Sequence, residues 1–140
     1  NLDGTIRFMN KKVQSQIHAE IERAFEITRT LGGDYQLNFE IGTMPMDNHP
    51  DAVRLIKQVA RKVIEPECIF PRKDGMGAED FGCFSDLAPG AMFNLGCQIK
   101  GDERQHHNAN FDIDERCLPY GAAILADAAM DYLNYGGVPD

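Results

Sequence analysis

The sequence predicts an α/β fold on three observations. Apolar segments with strand-like patterning recur between segments with helical apolar spacing. Gly, Pro and Asn stand at the joints between them. Hydrophobic residues make up 43% of 140 residues, enough for a core and for one domain by length.

Leu2, Ile6 and Phe8 share one parity with polar residues between, so residues 1–9 read as a strand. Asn10 suits a helix cap. Val13, Ile17, Ile21, Ala24, Phe25 and Leu31 then follow helical spacing, and Gly32-Gly33 stops the helix. Tyr35, Leu37, Phe39 and Ile41 alternate with polar residues, a half-buried strand. Residues 42–49 read as a hinge, with Asn48 and His49 as hinge and cap residues. Pro50 opens the next helix. Its face is Ala52, Leu55, Ile56, Val59, Ala60 and Val63, and Pro66 ends it. Residues 68–70 read as a short strand and 79–87 as a short helix. Residues 91–97 are an apolar run that suits a buried parallel strand. Residues 98–111 form a polar loop. Asp112 or Asp114 caps the last helix, whose face is Leu118, Ala122, Leu125, Ala129 and Tyr132. Gly136-Gly137 ends it.

Lys and Arg number 14 against 22 Asp and Glu, a net charge of −8. Nucleic-acid binders show a basic face, so no nucleic acid is expected as a partner. No apolar run approaches the roughly 20 residues of a membrane span, and no membrane association is expected. Cys68, Cys83, Cys97 and Cys117 show no CxxC pairing. They are expected to be buried, reduced thiols of a cytoplasmic protein. A catalytic thiol is the rival reading. His18 falls on the polar side of its helix, and the methionines read as core filler. The chain opens at Asn1 inside a strand-like run, as expected of a piece of a longer protein.

Three places in the chain carry candidate chemistry. His107 follows His106 on the polar loop, just before the acidic stretch Asp112-Ile113-Asp114-Glu115. Imidazole is the commonest metal ligand, but a catalytic zinc takes about three protein ligands. Nothing near His107 in sequence completes that set. The residue is then either a bland loop histidine or one ligand of a larger site. Glu79 and Asp80 stand at a helix start, where carboxylates cap free N–H groups. Arg7 is either a solvent-facing edge arginine or a bidentate carboxylate binder.

Four motifs come in one order: Gly75-Met76-Gly77-Ala78-Glu79-Asp80-Phe81, Ala88-Pro89-Gly90-Ala91-Met92-Phe93-Asn94-Leu95-Gly96, His107-Asn108-Ala109-Asn110-Phe111-Asp112-Ile113-Asp114-Glu115, and Leu118-Pro119-Tyr120-Gly121-Ala122. Together they resemble the C-terminal part of the hippurate hydrolase and N-acyl-amino-acid amidohydrolase family, di-metal relatives of carboxypeptidases and aminoacylases. Leu2-Asp3-Gly4-Thr5-Ile6-Arg7 resembles a strand in that family's lid.

The resemblance implies a division. Residues 1–44 would be the second half of a ferredoxin-like (α+β) lid, through which homodimers form. Residues 45–140 would be the C-terminal part of a zinc-peptidase-like catalytic domain. It implies hydrolysis of an amide in an N-acyl amino acid, a hippurate-like conjugate or a small peptide. Two divalent metals, zinc or manganese, cobalt or nickel, would serve it. His107, four residues before Phe111, would be a metal ligand. Ala109 departs from the proline usual there, which should loosen the loop without touching the ligand. Arg7 would meet the substrate carboxylate, and Glu79 would lie in the pocket near the scissile amide. The general base would lie in an N-terminal half with no counterpart in this chain. Unpaired strand edges at 1–9 and 35–41 would then invite association. The alternatives are a non-catalytic fragment and a small α/β module that binds acidic metabolites.

Overall fold

The structure, a computed structural model, describes residues 1–71, 75–102 and 104–136. Four α-helices follow one another: α1 Lys11–Thr30, α2 Pro50–Ala60, α3 Phe81–Ser85 and α4 Leu118–Tyr135. Single 3-10 turns cover Pro66–Cys68 and Glu115–Cys117. The chain forms two compact units. The first is Asn1–Asp47 with Lys73–Ala88, the second Asn48–Arg72 with Pro89–Asp140.

In the first unit α1 starts where the Asn10 side chain accepts the Val13 N–H at 2.9 Å. It ends at Gly32, whose φ of 84° is left-handed and suits glycine. The Gly33 N–H returns to the Thr28 carbonyl at 2.9 Å. Val13, Ile17, Ile21 and Phe25 are half-buried on one side, as their spacing predicts. The segment after the helix runs back over that side. Tyr35 meets Phe25 at 5.5 Å between ring centroids, and Phe39 stacks on His18 at 4.1 Å. His18 is therefore not a plain surface residue. The Tyr35 hydroxyl donates to Glu26 at 2.7 Å, which pushes the phenol pKa up, and the Arg29 guanidinium lies 4.6 Å from its ring. Further along the unit, Gly82 is buried under backbone. A Cβ there would meet the Met44 carbonyl oxygen at 2.1 Å.

The second unit holds the core. His49 caps α2, its Nδ1 accepting the Asp51 N–H at 3.3 Å, and Pro50 takes the first helical position. Leu55, Val59 and Ala60 of α2 are buried with Ile124 of α4, and Ile56, Ile64, Ile69, Phe93 and Ala128 pack around them. Lys62 crosses to α4 and bonds Asp127 at 3.3 Å and Asp131 at 2.9 Å. Both bonds push its pKa up, Asp131 more. Gly121 lets α4 approach the 91–97 run closely: a Cβ would come 2.9 Å from Leu95 Cδ2.

Four expectations are corrected. Among the described residues no segment forms a strand, so 1–9, 35–41, 68–70 and 91–97 lack the β half of the predicted α/β class. A strand is defined by ladder bonds to a neighbour; Tyr35 and Phe39 rest on α1 instead, and Phe93 and Leu95 on the α2–α4 pair. The alternation expected for 35–41 persists, with Tyr35, Leu37 and Phe39 half-buried and exposed residues between; the 91–97 run, expected to be buried, has Phe93, Leu95 and Cys97 only half-buried with exposed residues between. Residues 68–70 close a turn in which Ile69 N–H donates to the Pro66 carbonyl. The expected face of α4 is wrong by about a third of a turn. Gly121 and Ile124 are buried, whereas Leu118, Leu125 and Tyr132 are exposed. The helix is apolar on several sides, so periodicity alone does not choose. Cys68 and Cys83 are exposed, Cys97 and Cys117 half-buried, and all four are free. Met9, Met76 and Met130 are exposed rather than core filler.

Candidate functional site

His107 sits at the tip of the loop between the 91–97 run and α4. It is exposed, and its φ of 61° is the only positive value at a non-glycine residue among the described residues. Histidine tolerates the left-handed region better than most side chains, but such a residue is uncommon. Neighbours define the tip. The Asn108 Oδ1 accepts the Asn110 N–H at 2.9 Å, and the Asn108 carbonyl accepts the Phe111 N–H at 2.9 Å. The His106 ring stacks on Phe111 at 5.1 Å. His106 is thus turned onto its own loop. Among the described residues the His107 ring meets no hydrogen-bond, ionic or aromatic partner.

The base of the loop is drawn together by Arg104. Its Nε donates to Asp102 Oδ2 at 2.7 Å. Its Nη1 donates to the Asn110 carbonyl and to Asp112 Oδ2, each at 3.3 Å. These residues line an open concavity of about 660 Å³ with Gln105, Asn108, Ala109 and Phe111. The loop leads into α4 through Asp114. That carboxylate accepts the Arg116 N–H at 3.1 Å and three guanidinium bonds, from Nε to both oxygens and from Nη2 to Oδ2, and the Asp114 backbone N–H donates to the Cys97 carbonyl. The Arg116 side chain, then its backbone N–H, holds the Asp114 pKa down at about 2. Asp114 caps the 3-10 turn Glu115–Cys117, and α4 itself follows Cys117 without a side-chain cap, so neither Asp112 nor Asp114 caps the last helix as expected. Burial pushes the Cys117 thiol up, with Cys97 adding to the effect. A raised thiol is a poorer nucleophile, so Cys117 is not poised for attack.

Arg7 and Glu79 lie in the first unit. The Arg7 Nη1 donates to the Met76 carbonyl at 2.8 Å. This ties the arginine to the Gly75–Gly77 turn, three residues before Glu79. Glu79 is half-buried, and its Oε1 accepts the Phe81 N–H at 3.2 Å at the start of α3. Asp80, at the cap position itself, makes no side-chain cap bond. The structure brings Arg7 and the Glu79 segment together in one unit and puts His107 in the other.

Among the described residues no group of three His, Cys, Asp or Glu side chains could enclose a metal ion. One free, exposed imidazole fits a single ligand position and does not make a site by itself. Sequence reasoning missed Arg104. The signal was present in the Asp102, Arg104, Asp112 spacing around the histidine pair.

The sequence pattern of Peptidase family M20/M25/M40 matches residues 4–131, and the chain belongs to that family. A putative amidohydrolase, YhaA of Bacillus subtilis, is 29% identical over 94% of this chain and 34% of its own length. Thermostable carboxypeptidase 2 of Saccharolobus solfataricus is 31% identical over 95% of this chain and 34% of its own length. IAA-amino acid hydrolase ILR1-like 2 of Arabidopsis thaliana is 36% identical over 64% of this chain and 20% of its own length. The chain thus spans about a third of the length of the first two. No solved structure matches it. Among the described residues no helix is long and apolar enough to cross a membrane.

Proposed function

We propose that this chain works within a metal-dependent amidohydrolase that cleaves the amide of N-acyl amino acids, related conjugates or small peptides. One observation carries the reading: family membership across residues 4–131, with relatives named amidohydrolase, carboxypeptidase and IAA-amino acid hydrolase. In this reading residues 45–140 belong to the catalytic domain, and residues 1–44 to a ferredoxin-like lid that carries a homodimer contact.

His107 supplies one imidazole ligand. Its freedom from other partners and its place at a loop tip support that role. Two divalent ions would supply Lewis-acid polarisation of the amide carbonyl and activation of a water, with His107 holding one of them. The chain's own residues bind and orient. Arg7 presents a planar guanidinium to the substrate carboxylate, with Nη1 braced by Met76. Glu79, fixed by its bond to Phe81, shapes the pocket near the scissile amide.

The test is His107→Ala in the full-length enzyme. It should remove one metal and nearly all turnover while leaving the fold intact, as read by metal analysis, kinetics and circular dichroism. Full metal content with normal turnover would overturn the ligand assignment. The 140-residue chain alone should show no chelator-sensitive amidase activity.

A further inference from the structure

We infer that Arg104 is a positioning residue for His107, a role that rests on the metal-ligand reading above. Described residues on both sides of His107 converge on the Arg104 guanidinium. Asp102 lies at one end, Asp112 at the other and the Asn110 carbonyl between, with bonds of 2.7, 3.3 and 3.3 Å. His107 stands at the middle of that span with φ 61°. A non-glycine residue stays in the left-handed region only when its surroundings over-determine it. Three local devices do so here. Arg104 joins the two ends of the loop, the Asn108 side chain pins the Asn110 N–H, and the His106 ring stacks on Phe111. Only the first links residues across the histidine tip by charge.

The chemistry explains why arginine serves there. A guanidinium offers donors in a fixed fork and can meet two carboxylates and a carbonyl at once, whereas an ammonium acts as a point charge. Without the clasp, Asp102 and Asp112 would repel across the loop base, and the His107 backbone would relax toward ordinary φ values. The imidazole would then have to be ordered when metal binds. That ordering appears as weaker affinity rather than as a lost ligand. Groups that orient a metal ligand from outside typically change affinity roughly ten- to hundredfold when removed. An exposed clasp belongs at the low end of that range.

The experiment is a zinc titration of the full-length protein against a chromophoric chelator, with thermal unfolding alongside. Variants are Arg104→Ala, Arg104→Lys, Asp112→Asn and His107→Ala. Arg104→Ala should weaken the affected zinc about tenfold at low salt, with an unchanged thermal midpoint. Lys should restore part of the loss. The gap from wild type should shrink in 1 M salt, because exposed charges are screened there. Should Arg104→Ala fail to fold, Asp112→Asn decides, with a smaller loss expected. Wild-type affinity in both variants, while His107→Ala loses zinc, overturns the positioning role and leaves the ligand reading standing. Wild-type zinc binding in His107→Ala overturns the ligand reading and, with it, this inference.

Discussion

The first unit contains the longest helix and buries none of its residues; the second contains a shorter helix and buries three. Both helices are amphipathic, and both start at a well-formed cap. The difference lies in the partner. α2 meets α4 through Val59 and Ile124, which are 0% and 2% exposed. α1 meets the irregular 34–39 segment through aromatic contacts and polar bonds such as Tyr35 to Glu26, and Asp86 through an exposed ion pair from Lys11. Amphipathicity says that a face wants covering. It does not say whether a cover exists. Ile27, Leu31 and Ile41 of the first unit remain 63%, 80% and 70% exposed.

That contrast can be broken by mutation. Ile124→Ala should cost the second unit about 2–5 kcal/mol, since a fully buried side chain leaves a cavity. Hydrogen exchange in α2 and α4 should accelerate while α1 barely changes; an equal change in α1 would show that the units unfold as one. Arg7→Ala probes the first unit's function rather than its packing. A charged bidentate contact is worth about 1.5–3 kcal/mol, so KM for free-carboxylate substrates of the full-length enzyme should rise roughly ten- to hundredfold. Amidated substrates should be nearly unaffected, and an equal loss for both would make Arg7 structural.

Gly82→Ala tests whether the first unit has a rigid point at all. The added methyl would press on the Met44 carbonyl, and overpacking typically costs about 1–3 kcal/mol. A neutral substitution, read by urea unfolding, would mean that the 42–47 segment yields freely. The smallest effect concerns acid. Asp114 has a folded pKa of about 2, below the ordinary 3.8, because Arg116 stabilises its charged form. Its contribution is present above pH 3.8 and is lost as pH falls toward 2. Asp114→Asn should flatten the acid limb of second-unit stability in that window, and an unchanged limb would remove Asp114 from the account.

The sequence reading succeeded where local chemistry decides. Asn10, His49, Pro50 and Gly32 punctuate helices as their side chains or backbones require. It also found the right parity in 35–39, whereas 93–97, read as a fully buried run, alternates between half-buried and exposed residues. It failed where a partner decides. Parity does not reveal whether a segment pairs with a ladder or rests on a helix, so the strands were overdrawn. The side of α4 that faces α2 follows from Ile124 fitting beside Val59, a fact of tertiary packing. His107 stood out because histidine chemistry is local. Arg104 did not, because its meaning depends on Asp102 and Asp112 converging from two ends of a loop.

Asn48 carries a consequence for behaviour in concentrated solution. Its Nδ2 donates to the Met92 carbonyl at 2.9 Å, and its Oδ1 accepts the Met92 N–H at 2.8 Å. A side-chain amide thereby occupies both hydrogen-bonding groups that Met92 would offer to an adjoining strand. Ala91 to Cys97 is an apolar run of the kind that templates intermolecular β-sheet when left open. Asn48 therefore shields Met92, and a chain that paired with this run at that residue would first have to displace the amide.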